Sequence, residues 1–352
     1  LHTAYRRQRQ MCIRDSKQGT YVQANVAGTT GEFYCPGCLA PVYLRQGEIK
    51  QPHFAHRAGA QCHTFSDNET PQHLAGKLQL ATYCQKFGQV TLEAVIPAIN
   101  QRPDILITRA HQRIAIEYQC SPISQQRLDE RNAGYRQQHI TVIWILGATY
   151  YQAKMAQRTI VKFLANQRLC FYLPDTQKFY HRAHFEKPDF GRVNYSEIVS
   201  TQLLTTVPKH KQRSLNVVQQ IYKLQQLIAQ KRVDQRLITY LYLQQRLLLQ
   251  APLWIHLGQT FGLTISNWQW RLQSVLVLEK IGVGHVLHQQ VMLAKLKPYV
   301  LGHPTFQQEQ VMALLQEMVA QHFIVQRGAY FLVVELPVWY GSLRQKLGQV
   351  RK

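Results

Sequence analysis

Between residues 68 and 147 the spacing of apolar positions switches between two periods, and each switch predicts an element. NETPQHLAGKLQLATYCQKF (68–87) sets Leu74, Leu78, Leu80, Ala81 and Phe87 at helical intervals, with Asn68 or Thr70 as cap and Pro71 in the first turn. Glu69, His73 and Lys77 recur every four residues, which puts them along one face of that helix. VTLEAVIP (90–97), RPDILITR (102–109) and RIAIEYQC (113–120) alternate as strands. In the third, Ile114, Ile116 and Tyr118 share one face, and Glu117 and Gln119 the other. SQQRLDERNAGYRQQH (124–139) predicts a helix capped by Ser124, and ITVIWILG (140–147) a strand buried on both faces. The order is helix, three strands, helix, strand, which is an α/β pattern.

The flanks differ from this core. FYCPGCLAPVYLRQGEIKQPHFAH (33–56) has the spacing C-x2-C-x14-H-x2-H around a predicted hairpin. Cys35, Cys38, His53 and His56 are the ligand types of a structural tetrahedral Zn²⁺, which a piece this small needs in place of a core. The spacing is not that of the common finger. One histidine is free to pack instead, Cys62 and His63 are further candidates, and a metal-free hairpin with small apolar cysteines is the plain alternative. After the core, 151–167 reads as a helix and 168–182 as a hairpin turning at Pro174-Asp175. From about 195 onward the pattern is mainly helical. Leu215, Val218, Ile221, Leu224 and Ile228 keep helical spacing, as do Leu237, Leu241 and Leu248. Residues 311–336 read as a helix and a hairpin at Arg327-Gly328. That order is compatible with a winged helix, but it is expected to be an ordinary helix-plus-hairpin. The expected divisions are a disordered or foreign arm (1–16, with no hydrophobic period and a Leu start), a zinc-finger-like module (17–66), a catalytic domain (67–182) and a mainly helical basic region (183–352).

Charge sharpens this. The chain carries 41 Lys+Arg against 19 Asp+Glu, a net of +22, which favours polyanions such as nucleic acid. Residues 67–146 are nearly neutral, with 8 basic and 7 acidic side chains, whereas 147–352 hold 25 basic and 9 acidic. Carboxylates gather where the chemistry is expected, and cations lie downstream as a grip on DNA. Seven scattered cysteines do not make a disulfide framework. With no apolar run long enough to span a bilayer and no signal-like start, the expectation is a cytoplasmic protein without a membrane partner.

Asp104 opens one predicted strand and Glu117 lies in the next. Paired strands bring both carboxylates to one hard cation, Mg²⁺ or Mn²⁺, which polarises a phosphate oxygen and makes hydroxide from water. Glu69 adds or orients a ligand, and His73 or Lys77 neutralises phosphate or moves a proton. Singly, each residue has a plainer reading: Asp104 as a turn residue beside Pro103, Glu117 as a solvent face, His73 and Lys77 as a solvated helix face. Together and in order they favour a metal site. Cys120 reads as a small core residue, not a nucleophile.

Arg102-Pro103-Asp104 followed by Glu117-Tyr118-Gln119 resembles the PD-(D/E)XK nuclease signature, and the αβββαβ order resembles that superfamily's mixed-sheet, restriction-endonuclease-like core. FYCPGC, HFAH, the helix with Glu69, His73 and Lys77, RPD, IEYQCSPIS, ERNAGY and VIWIL, in this order, resemble the competence protein CoiA family over about residues 20–150. The resemblance implies a cytoplasmic protein that promotes recombination of incoming DNA during natural transformation, with a zinc-finger-like N-terminal part and a nuclease-like domain; with the carboxylates read above, the expectation is a Mg²⁺-dependent nuclease acting on DNA, with recombination proteins as further partners. Gln119 departs from the superfamily's usual Lys. It orients a water but brings no positive charge, which leaves room for a non-catalytic DNA-binding recombination accessory that keeps the fold. Arg102, Arg131 and Tyr135 are second-tier candidates for phosphate contact; by themselves Arg131 and Tyr135, four apart on a helix, read as an ordinary surface pair.

Overall fold

Six short strands pair into the first sheet: β1 (Arg9–Gln10), β2 (Cys12–Asp15), β3 (Tyr21–Gln23), β4 (Phe33–Tyr34), β5 (Pro41–Arg45) and β6 (His53–His56), in the order β1-β6-β5-β4-β2-β3. This computed structural model describes residues 9–10, 12–15, 21–24, 27–28, 30–35, 40–47, 52–57, 70–208 and 215–350. Within the stretch 1–16, read above as a disordered or foreign arm, the backbone at 9–10 and 12–15 is in strand pairing. A small core of Ala24, Ala27, Phe33, Cys35, Val42 and Phe54 fills this sheet, with the Phe33 and Phe54 rings 4.8 Å apart.

The next elements follow the expected order: α1 (Pro71–Cys84), β7 (Gln89–Leu92), β8 (Ile105–Arg109), β9 (Gln112–Gln119), α2 (Gln125–Gln137) and β10 (Ile140–Leu146). Thr70 caps α1 by accepting from the His73 N–H, and Ser124 caps α2 by accepting from the Arg127 N–H. The strand expected over 90–97 stops at Leu92, because Glu93 takes a left-handed backbone (φ 51°) that ends the extended run. The helix expected over 151–167 is two short ones, α3 (Ala148–Gln152) and α4 (Gln157–Phe163), separated by extended backbone at Ala153 and Ala156. β11 (Arg168–Leu173), β12 (Lys178–Glu186) and β13 (Asn194–Ser200) follow. The second sheet has the order β13-β12-β11-β10-β9-β8-β7. β7, β8 and β9 pair antiparallel; β9, β10 and β11 pair parallel. It is the mixed sheet of an α/β domain.

Both faces of this sheet are covered. Ile105, Ile107, Ile116, Tyr118 and Ile145 form one core with Leu80, Ala81 and Cys84 of α1. Ala115 and Ile140 form another with Tyr135 of α2. Contacts divide the chain into two units, Leu1–Lys154 with Leu169–His181 and Val199–Thr205, and Met155–Arg168 with Arg182–Ile198 and Thr206–Lys352. The boundary read at 182 therefore falls inside β12.

The second unit continues through α5 (Val217–Ala229), α6 (Gln235–Leu243), α7 (Asn267–Ile281), β14 (Val286–His288), α8 (Gln289–Leu296), α9 (Pro304–Ala320), β15 (Ile324–Arg327), β16 (Tyr330–Val333) and α10 (Leu343–Val350). Leu215 and Leu248 lie outside the helices expected to hold them. Trp268, Trp270, Leu272, Val275 and Leu315 anchor its core. β14 adds to the β15–β16 hairpin in the order β14-β16-β15. Helix α7, strand β14, helices α8 and α9 and the hairpin thus have winged-helix connectivity, not that of an isolated helix and hairpin. Helix α9 carries no Lys or Arg, and its Glu317 is bound by Arg271 at 2.5 Å. It lacks the cations that a DNA-reading helix brings.

The close approach of α1 to the sheet rests on Gly76. A Cβ there would lie 2.2 Å from Cε1 of the buried Tyr118 ring, so helix and strand must separate to admit it. Gly76→Ala is expected to lower stability by about 2 kcal/mol, despite alanine's better helix propensity. Urea unfolding followed by circular dichroism measures it, and an unchanged or higher midpoint contradicts the packing described.

Candidate active site

Strand register builds the site. Leu92 pairs with Ile105, and Ile105 with Ile116. One step further along the same register, Glu93, Asp104 and Glu117 fall in a single row across the ends of β7, β8 and β9. The row is tied by backbone as well, since the Glu93 N–H donates to the Asp104 carbonyl at 3.0 Å. Three carboxylates side by side repel one another, and each one has its own positive partners.

Glu93, buried, accepts from Lys77 Nζ at 2.5 Å through Oε1 and from Arg102 Nη1 at 3.0 Å through Oε2. Asp104 accepts the Tyr118 N–H through Oδ2 at 2.8 Å, with His73 Nε2 at 3.5 Å from the same oxygen. The His73 ring stacks on Tyr118, centroids 5.6 Å apart. Glu117, also buried, accepts through Oε1 from both Arg131 and the Tyr135 hydroxyl. Among the described residues, Oδ1 of Asp104 and Oε2 of Glu117 have no hydrogen-bond partner.

The two open carboxylates titrate apart. Burial works to raise Asp104, but His73, the Lys77 charge and the Tyr118 N–H outweigh it and bring it down to about 2. Burial pushes Glu117 up to about 7, against Arg131 and Tyr135 and with the neighbouring Asp104 charge adding to the rise. One acid is held ionised and the other is poised near neutrality, a separation typical of functional carboxylate pairs.

The sequence expectations fare unevenly. Asp104, Glu117, His73 and Lys77 are brought together. Lys77 is not on a solvated helix face but 1% exposed. Gln119 shares the face of Glu117, yet its amide donates to the Ser121 carbonyl at 2.6 Å, so it is turned along the chain. Arg131 and Tyr135 are not an exposed pair, since both bind Glu117, and Arg102 binds Glu93 through Nη1. Cys120 is a thiol whose burial raises it to about 11, as a core residue's would be. Glu69 lies outside the described residues. Glu93 was missed, and the available signal was its place one register step from Asp104.

At the proposed zinc module, Cys38, Cys62 and His63 lie outside the described residues. Cys35, His53 and His56 are all buried, the two histidines three residues apart in β6. Among the described residues, no three His, Cys, Asp or Glu side chains form a metal-holding group.

Two family models match this chain: "Competence protein CoiA, N-terminal domain" over residues 18–65 and "Competence protein CoiA, nuclease-like domain" over residues 69–232. The chain belongs to the competence protein CoiA family. It is similar to competence protein CoiA of Bacillus subtilis (strain 168), 29% identical over 188 residues, which is 51% of this chain and 48% of the relative. The chain thus spans about half the length of the curated relative it matches. No solved structure matches it. The row of Glu93, Asp104 and Glu117 lies within the nuclease-like match of the CoiA family, and β4, β5 and β6 lie within the N-terminal one.

The Arg131–Glu117 pair predicts a pH signature. Glu117's folded value lies above its ordinary 4.5, so its contribution to stability is full below that and falls as pH rises through about 7. Arg131→Met leaves the ionised carboxylate buried without its cation, so the variant should lose about 3 kcal/mol near pH 8. It should lose much less at pH 6, where Glu117 has taken up its proton. Denaturant unfolding at both pH values tests this, and a loss independent of pH would show that Arg131 does not neutralise Glu117.

Proposed function

We propose that this CoiA-family chain is a Mg²⁺-dependent nuclease acting on DNA, serving recombination of incoming DNA during natural transformation. The observation that carries the reading is the pairing of Asp104 with Glu117, each keeping one oxygen open. These hard-oxygen donors suit Mg²⁺, which is commonly held by one or two carboxylates with waters and substrate phosphate completing its shell. Asp104 and Glu117 would hold the ion, with Mn²⁺ as its substitute; when bound it polarises a phosphate oxygen and acidifies a water.

The remaining residues have their own tasks. Arg131 and the Tyr135 hydroxyl fix the Glu117 carboxylate through Oε1 and leave Oε2 without a hydrogen bond among the described residues. His73, stacked on Tyr118 and at Asp104, is placed to take up or release a proton at Nε2. Lys77 adds positive charge beside Asp104, and Gln119, released from Ser121, is within the same face to orient a water. Arg102 and Arg131 each commit one terminal nitrogen to a carboxylate, Nη1 to Glu93 and Nη2 to Glu117. The basic excess downstream of residue 146 supplies sequence-independent grip on DNA. Among the described residues no helix is long and apolar enough to cross a membrane.

For the N-terminal module we infer a structural Zn²⁺ on Cys35 and Cys38 with His56, whose strand face it shares with Phe54 of the Cys35 core cluster. A second reading, a non-catalytic DNA-binding recombination accessory, is favoured by one observation: Gln119 stands where the superfamily has Lys, and its amide is tied to Ser121.

Cleavage of single- and double-stranded DNA with Mg²⁺, Mn²⁺ or chelator separates the two readings. Asp104→Asn and Glu117→Gln are each expected to reduce metal-dependent turnover about a hundredfold or more while leaving DNA affinity in chelator close to wild type. Wild-type protein that cleaves no DNA form with either metal supports the accessory; equal turnover in both variants removes these carboxylates from the chemistry.

A further inference from the structure

The residue of the acidic row that departs from strand geometry is the one that gathers two cations. Had Glu93 stayed extended, the register would aim its carboxylate with those of Asp104 and Glu117, adding a third negative charge to one face. Its left-handed backbone, φ 51°, is rare for a residue with a side chain. The carboxylate instead meets Lys77 of α1 and Arg102, one oxygen to each, at 2.5 and 3.0 Å. Lys77 is 1% exposed, and a buried ammonium persists only against an anion. The Glu93 N–H also binds the Asp104 carbonyl, so one residue fixes both cations and the strand position of the acid beside them. Gln119 has no charge to contribute, and its amide is engaged by Ser121.

We propose that Glu93 is a positioning residue: it holds Lys77 and Arg102 at the Asp104 end of the row, so that Lys77 supplies the positive charge that Gln119 does not. The role rests on the reading of Asp104 and Glu117 as the reaction centre. Lys77 acts through its charge beside Asp104; Glu93 acts only through Lys77 and Arg102. The arrangement divides the three acids by task, with two facing the reaction and one facing the cations.

The test uses the full chain with Glu93→Gln, Glu93→Asp, Lys77→Met and the Glu93→Gln/Lys77→Met double variant. Three measurements are made: DNA cleavage with Mg²⁺, thermal midpoint, and acetylation of lysines by acetic anhydride in metal-free protein, read by mass spectrometry. Glu93→Gln should lower kcat about a hundredfold with KM within about threefold of wild type. Labelling at Lys77 alone should rise about tenfold as its tether is lost. The double variant should fall no lower than Lys77→Met, and Glu93→Asp, which keeps the charge one methylene short, should sit between Glu93→Gln and wild type. Should Glu93→Gln not yield folded protein, Glu93→Asp carries the same kcat and labelling comparisons. A lowered thermal midpoint with kcat and Lys77 labelling unchanged makes Glu93 merely structural and overturns the proposal. So do additive losses in the double variant. Absence of cleavage in wild type strikes the underlying reading instead, whereas wild-type cleavage with an unimpaired Glu93→Gln strikes this inference alone.

Discussion

Three carboxylates in neighbouring positions of three adjacent strands cannot share a buried sheet end unless each is neutralised. That requirement organises the nuclease-like domain. Lys77 and Arg102 answer Glu93, Arg131 answers Glu117, and His73 with the Tyr118 N–H answers Asp104. The partners come from α1, α2 and the loop before β8, so the helices on both faces of the sheet are bound to one electrostatic cluster. Gly76 belongs to the same requirement. A side chain there would push α1 away from Tyr118, and His73 and Lys77 away from the row with it.

Such a cluster is stable yet unevenly satisfied. Three cations among its partners, Lys77, Arg102 and Arg131, balance three carboxylates, but Glu93 uses both its oxygens while Asp104 and Glu117 use one each. The open oxygens belong to the two acids whose proton affinities are driven furthest apart. On the proposed reading, a divalent cation would meet hard donors already in place and would relieve the repulsion between Asp104 and Glu117. This is the physical sense in which the proposal gives a CoiA-family nuclease-like domain that carries Gln119 a place for a metal.

Much of this was legible in the chain. Alternation gave β8 and β9, and with them the facing of Asp104 and Glu117; caps at Thr70 and Ser124 began α1 and α2 where the pattern said they should. What escaped notice has identifiable causes. Glu93 looked like a strand residue because nothing in its neighbourhood announces a left-handed backbone. Arg131 and Tyr135 looked exposed because α2 is so rich in Gln, Arg and Glu that its buried stripe is reduced to Leu128, Gly134 and Tyr135. Lys77 looked solvated because its counter-ion is 16 residues away in sequence. β14, three residues long, is too short for a period to show, which hid the winged-helix connectivity.

The central claim is that the row of acids is a cation site assembled by register and kept open at two oxygens. Anomalous diffraction from crystals of the full chain grown with Mn²⁺ tests it most directly, because it locates the ion without relying on turnover. The account predicts Mn²⁺ bound to both Asp104 and Glu117, lost in Asp104→Asn, with Lys77 still on Glu93. Asp104 and Glu117 free of metal at saturating Mn²⁺, with Arg131 and Tyr135 still closed on Glu117, would contradict it.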